Sequence, residues 1–104
     1  MNDEHIEKKE ESLENLDALF SLLAKIDDKK DMEKLFLDLC TYKEVEQMAT
    51  RLKSAKLLKG GYTYNKVIEE VDISSATLAR VSRCVSHGSG GYNVVLDKYD
   101  SDKK

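Results

Sequence analysis

Leu13, Leu16, Leu19, Phe20, Leu23 and Ile26 recur at spacings of three and four. That period belongs to a helix; a half-buried strand would place its apolar side chains at every second residue. It puts one apolar face on a helix from about Ser12 to Ile26. After a charged break at Asp27 to Asp31, the same spacing returns over a second, shorter helix through Met32, Leu35, Phe36, Leu39 and Cys40. Leu37 lies off this second stripe. Its outward position implies burial on two sides, as against a second subunit, or else one of the isolated exposed leucines common on protein surfaces. No segment shows sustained alternation, so the expected fold class is all-α.

Further helices are marked by their ends. Thr41-Tyr42-Lys43-Glu44 has the form of a capping box, in which the Thr hydroxyl accepts from the N3 amide and the N3 Glu reaches back to the cap. A third helix should start there, with Val45, Met48, Ala49, Leu52, Ala55 and Leu58 inside, and stop at Gly60-Gly61. Thr63 can cap a short fourth helix holding Val67, Ile68 and Val71. Ser74 or Ser75 can cap a fifth from Ser75 to about Ser86, ended by the glycines from Gly88. Tyr92 to Tyr99 is ambiguous by periodicity, with a short terminal helix preferred. The expected organisation is a polar N-terminal arm over 1–11, either loose or the solvated start of a helix. A single all-helical domain follows over 12–99, and then a charged tail over 100–104.

Folding of 104 residues hides roughly two-thirds of the unfolded surface, enough for one modest core. No apolar run approaches the length of a membrane span, and the acidic start lacks the features of a secretory signal. Two cysteines, Cys40 and Cys84, form no CxxC pair and read as reduced, partly buried small hydrophobes. A cytoplasmic protein with no membrane association is expected. Formal net charge is -3, which at face value argues against nucleic acid, but the sign is unevenly distributed. Residues 1–39 carry 12 acidic and 6 basic side chains, whereas residues 40–87 carry 5 acidic and 8 basic ones. From Ala49 to Val67 the cations Arg51, Lys53, Lys56, Lys59 and Lys66 occur without a single acid. Such asymmetry fits either a nucleic-acid face or a solvated helix surface.

Two short helices joined by a tight turn form a helix-turn-helix, here expected over 64–87. Val67, Val71, Ile73, Leu78 and Val81 fill the five inward positions. Two positions depart from the usual pattern. Ile68 stands where the helices cross and a small residue is usual, and Asp72 stands where the turn usually takes glycine; Asp tolerates a left-handed backbone better than most residues. A helix entering the major groove needs small polar residues at its start and cations nearby for phosphates. Ser75, Ala76, Thr77 and Ala79 are the expected base-facing residues, with Ser74 and Ser75 equally readable as caps. Lys59, Tyr64, Lys66, Arg80 and Arg83 are the expected phosphate contacts, against the plain alternative of ordinary surface charges.

Thr50-Arg51, Leu57-Leu58-Lys59-Gly60 and Ile73-Ser74-Ser75-Ala76-Thr77-Leu78-Ala79-Arg80 resemble the matching stretches of Trp-repressor-like proteins. From about Leu13 to Tyr99, including the GSGGYNVVLDK tail, the chain is most similar to their YerC/YecD branch. The resemblance implies a Trp-repressor-like helical bundle forming an intertwined homodimer, with N-terminal helices in a shared core and two helix-turn-helix heads. It also implies an effector pocket at Arg51, Arg80 and Cys84. In the Trp repressor the indole lies between two arginines, with a glycine after the second. Arg80 matches that second arginine, but Val81 follows it, Cys84 stands in place of a serine, and Arg51 is one residue out of step, about 100° of helix turn. These departures argue against tryptophan as corepressor and leave any small-molecule effector unidentified.

Other chemistry finds no support in the sequence. His5 and His87 have no second metal ligand at a useful spacing, and the glycine clusters lack a phosphate-loop context. No nucleophile, base and oxyanion set is visible, so an enzyme and a cofactor are not expected. The expectation is a dimeric, sequence-specific regulator of transcription, a repressor by its resemblance, binding double-stranded DNA. The alternative is a helical dimer that binds proteins and uses the helix-turn-helix only for packing, which Ile68 and Asp72 favour slightly.

Overall fold

The computed structural model describes residues 3–100, with side-chain surroundings from residue 7. The expected charged tail therefore lies outside the described residues apart from Asp100, as does the side chain of His5. The described residues form six helices and no strand: α1 (Asp3–Leu23), α2 (Lys29–Leu39), α3 (Tyr42–Lys59), α4 (Tyr64–Glu70), α5 (Ser75–His87) and α6 (Gly91–Tyr99). They divide into two compact units on either side of the Thr41–Tyr42 bond.

In the first unit, α1 starts at Asp3 rather than at Ser12. Residues 3–11 have no apolar stripe to reveal them, but Glu and Lys are good helix formers, and from Glu7 to Glu11 the side chains are exposed. It closes earlier than Ile26. The Lys25 and Ile26 N–H groups donate to the carbonyls of Leu22 and Leu23 at 3.0 and 3.1 Å, a tighter spacing that ends the regular helix. Asp28 then caps α2, its carboxylate accepting from the N–H groups of Lys30 (2.8 Å) and Asp31 (3.3 Å). The break before α2 is shorter than expected because the first turn is charged and shows no periodicity. No described side chain of α1 or α2 is buried: Leu13 is 59% exposed, Phe20 62% and the off-stripe Leu37 49%.

The second unit is organised around α3, which packs against α4, α5 and α6; α5 also contacts α4 and α6. Ala55 of α3, Val81 of α5 and Leu96 of α6 form a buried cluster, extended by Leu58, Ile73, Val85 and Tyr92. Ser54, fully buried beside Ala55, keeps its hydroxyl satisfied by donating to the Thr50 carbonyl at 2.9 Å. α3 ends as the Gly-Gly pair predicts. The Tyr62 and Gly61 N–H groups donate back to Leu57 and Leu58 carbonyls, both at 3.1 Å, and Gly61 takes the left-handed conformation at φ 97. This is a Schellman ending, which any residue with a Cβ would strain. Thr63 caps α4 by accepting from the Lys66 N–H at 3.2 Å. At the end of α5 the Gly88 N–H closes onto the Cys84 carbonyl, and a Cβ on Gly88 would collide with that backbone. The ambiguous tail is helical from Gly91 to Tyr99, with Leu96 as its buried anchor.

Candidate nucleic-acid interface

α4 and α5 are joined by residues 71–74. Val67, Leu78 and Val81 are buried between and behind the two helices, with Val71 and Ile73 half-buried. The turn is built differently from the expectation. Among the described residues only glycines have positive φ, so Asp72 is not left-handed. Instead Val71 is extended (φ -130, ψ 137) and the Ile73 N–H donates to the Val71 carbonyl at 2.9 Å. That bond is an inverse γ-turn centred on Asp72, which needs no glycine. Ile68 does not crowd the helix crossing either. It is 41% exposed, so the larger side chain is not enclosed at the crossing.

Ser74 starts α5. Its Oγ accepts from the Thr77 N–H at 3.1 Å and donates to Thr77 Oγ1 at 3.0 Å. Ser74 is therefore the cap, and Ser75 and Ala76 are left exposed on the first turn. Thr77 and Ala79 are half-buried.

The five cations and aromatics read as phosphate contacts are not equivalent. Arg80 and Arg83 of α5 and Tyr64 of α4 are exposed. Lys66 is also open to solvent, with Glu69 and Glu70 at 3.8 and 4.0 Å as loose surface partners. Lys59 is different. Its ammonium donates to Asn93 Oδ1 at 2.7 Å and pairs with Asp97 at 3.4 Å, while Asn93 Nδ2 donates to the Val85 carbonyl at 2.9 Å. One turn away, Lys56 pairs with Asp100 at 3.2 Å. α6 and its C-cap Asp100 thus set Asn93, Asp97 and Asp100 against the cations of α3. Sequence reasoning missed these partners, although their spacing of four and three was a visible signal.

The three residues assigned to an effector pocket lie in different places. Cys84 lines an apolar cavity of about 410 Å³ with Leu52, Tyr92 and Val95. Arg51 lines a separate cavity of about 220 Å³, shared with Gln47, Thr50, Asp72, Ser74 and Thr77. Arg80 lines neither of them and is exposed. Val81, in the position where the resembled repressor has glycine, is 1% exposed and filled into the core. No helix among the described residues is long and apolar enough to cross a membrane.

Three comparisons bear on this arrangement. The family model of the Trp repressor protein matches residues 14–100. The uncharacterized protein YerC of Bacillus subtilis (strain 168) is 39% identical over 83 residues, 80% of each chain. Among solved structures, a candidate Trp repressor from Staphylococcus aureus superposes with a TM-score of 0.78 at 35% identity, covering 83% of this chain and 86% of that one. A TrpR-like protein from Eubacterium eligens ATCC 27750 gives 0.79 at 28% identity, covering 85% and 91%. With a family match across nearly the whole described chain and a shared helical architecture, this protein belongs to the Trp repressor family, a family of non-enzymatic regulators.

Proposed function

We propose that the protein is a sequence-specific DNA-binding regulator of transcription, a repressor by its family, that acts as a homodimer through the α4–α5 helix-turn-helix. The observation that carries the reading is the two-sided character of α5. Leu78 and Val81 are buried, while Ser75, Ala76, Arg80 and Arg83 lie on its exposed side. A small first turn lets the backbone approach base edges, with Thr77 and Ala79 behind it, and Arg80, Arg83, Lys66 and Tyr64 reach for phosphates. Lys59 serves chiefly to hold α6 and contacts phosphate only if that tether opens. The homodimer is supported by the exposed leucines and phenylalanine of α1 and α2, an apolar surface that a second copy would cover. Tryptophan is disfavoured as the corepressor, because Val81 stands where the resembled repressor has glycine and is packed into the core.

Salt dependence tests the electrostatic half of this reading. If each subunit neutralises about three phosphates, the logarithm of affinity for a duplex falls with the logarithm of salt at a slope near about -5 for the dimer. Lys66→Ala then weakens all sequences alike and makes that slope shallower by about 2, one contact from each subunit. Duplex binding that ignores salt, or no duplex binding, contradicts the proposal and favours a protein-binding module.

A further inference from the structure

The run from Ala49 to Val67 holds five cations and no acid, yet two of those cations meet carboxylates from far along the chain. Lys59 Nζ donates to Asn93 Oδ1 at 2.7 Å and lies 3.4 Å from Asp97, and Lys56 Nζ lies 3.2 Å from Asp100. α3, α6 and the helix-turn-helix belong to one compact unit. Lys59 ends α3, and only residues 60–63 separate it from α4, so it stands at the entrance to the helix-turn-helix with Lys56 one turn behind. Cations in that place add to the attraction for phosphates unless they are already neutralised. α6 and its C-cap set two carboxylates against two ammonium groups and make the patch neutral. These pairs are closer than the loose contacts of Lys66. The Lys59 side chain is only 20% exposed and that of Asp100 14%, whereas Lys66 is 54% exposed and its carboxylates stand at 3.8 and 4.0 Å. α6 is also held by more than charge, through Leu96 in the core and the bond from Asn93 Nδ2 to the Val85 carbonyl, which keeps its carboxylates beside the lysines.

We propose that α6 is an autoinhibitory element: Asp97 and Asp100 occupy Lys59 and Lys56 in place of DNA phosphates and lower the affinity for duplex of any sequence. The inference rests on the DNA-binding reading and adds a regulation of the same surface. Every duplex offers phosphates, so a neutral patch withdraws two sequence-blind contacts from each subunit. Binding then depends more on what α5 meets in the groove.

The test is a double-mutant cycle on the full chain, read as affinity for a mixed-sequence duplex across a salt series. Asp97→Asn with Asp100→Asn keeps the side-chain shapes and removes both carboxylates, and urea denaturation checks that the fold is intact. Affinity rises by about tenfold or more and the salt slope steepens by about 3 to 4, as four more phosphates are engaged by the dimer. Asp97→Asn alone, at a side chain 58% exposed, gives about half of that change in slope. Lys56→Gln with Lys59→Gln then removes the same two positive charges from the natural chain and from the doubly substituted one. A long-range charge effect alone would be equal in the two backgrounds, whereas neutralisation by α6 predicts a loss at least about fivefold larger where the carboxylates are gone. Equal losses, or a doubly substituted chain with the affinity and slope of the natural one, overturn the proposal and leave the DNA-binding reading standing. Absence of duplex binding by both chains removes that reading and the proposal together.

Discussion

At the scale of single residues, the start of α5 combines two roles that the sequence leaves tangled. Ser74 and Ser75 are chemically interchangeable as caps, and only the backbone at φ -74 and ψ 155 assigns the role to Ser74. Ser75 and Ala76 are thereby freed to face outward. Ala76 touches no buried cluster, so its size matters only to something approaching from outside. Ala76→Leu should change stability by less than about 0.5 kcal/mol, as surface substitutions usually do. It should nonetheless reduce specific DNA binding by well over tenfold while sparing the weaker nonspecific mode; urea denaturation and a gel-shift titration measure the two effects. Five inward residues of the helix-turn-helix are legible because burial is encoded by side-chain type and spacing. Asp72 misleads because a turn-forming residue suggests a left-handed turn, when an inverse γ-turn reverses the chain with ordinary backbone angles. Arg51 shows the deeper limit: one residue of register places a side chain about 100° around the helix, and no local signal says which cavity it then enters.

At the scale of elements, what the sequence shows well are the ends. Thr63, Ser74 and Gly60-Gly61 mark helix boundaries through hydrogen bonds to their own neighbours, so a few residues suffice to read them. The starts of α1 and α2 are less legible because charged turns carry helix propensity but no stripe. α6 is the least legible element, since Val94, Val95 and Leu96 fit either period. Its position is fixed by contacts far along the chain: Leu96 in the core, Asn93 bridging Lys59 and Val85, and Asp97 and Asp100 on α3 cations. Asn93→Ala removes both bridging bonds, each of which contributes about 1 kcal/mol. The expected result is faster amide exchange across α6 with α3 and α5 still protected. A uniform rise in exchange throughout residues 42–100 would instead mean that α6 is inseparable from the unit's core.

At the scale of the whole molecule, the division of charge matches the division of structure. The acidic excess lies on the unit containing α1 and α2, whose apolar stripe has no buried side chain, and the basic excess lies on the unit that carries the helix-turn-helix. On the proposed function, phosphates would repel the acidic unit and attract the basic one, which would orient the encounter. The exposed α1 and α2 side chains are the surface a second copy would bury. Phe20→Asp puts a charge in that stripe, where a buried and unpaired carboxylate would cost several kcal/mol. Sedimentation should therefore show a dimer for the natural chain and a monomer for the variant, with duplex binding lost alongside. A Phe20→Asp chain that remains dimeric would remove α1 from the interface.

The central claim is that α5 reads base sequence as one of a symmetric pair. Selection of bound fragments from a random duplex pool tests it with no operator sequence assumed. A dimeric reader returns one reproducible palindromic motif whose half-sites are separated by about one helical turn, roughly 34 Å. Repeated selections that enrich no common motif, under salt conditions where duplex is retained, would contradict it.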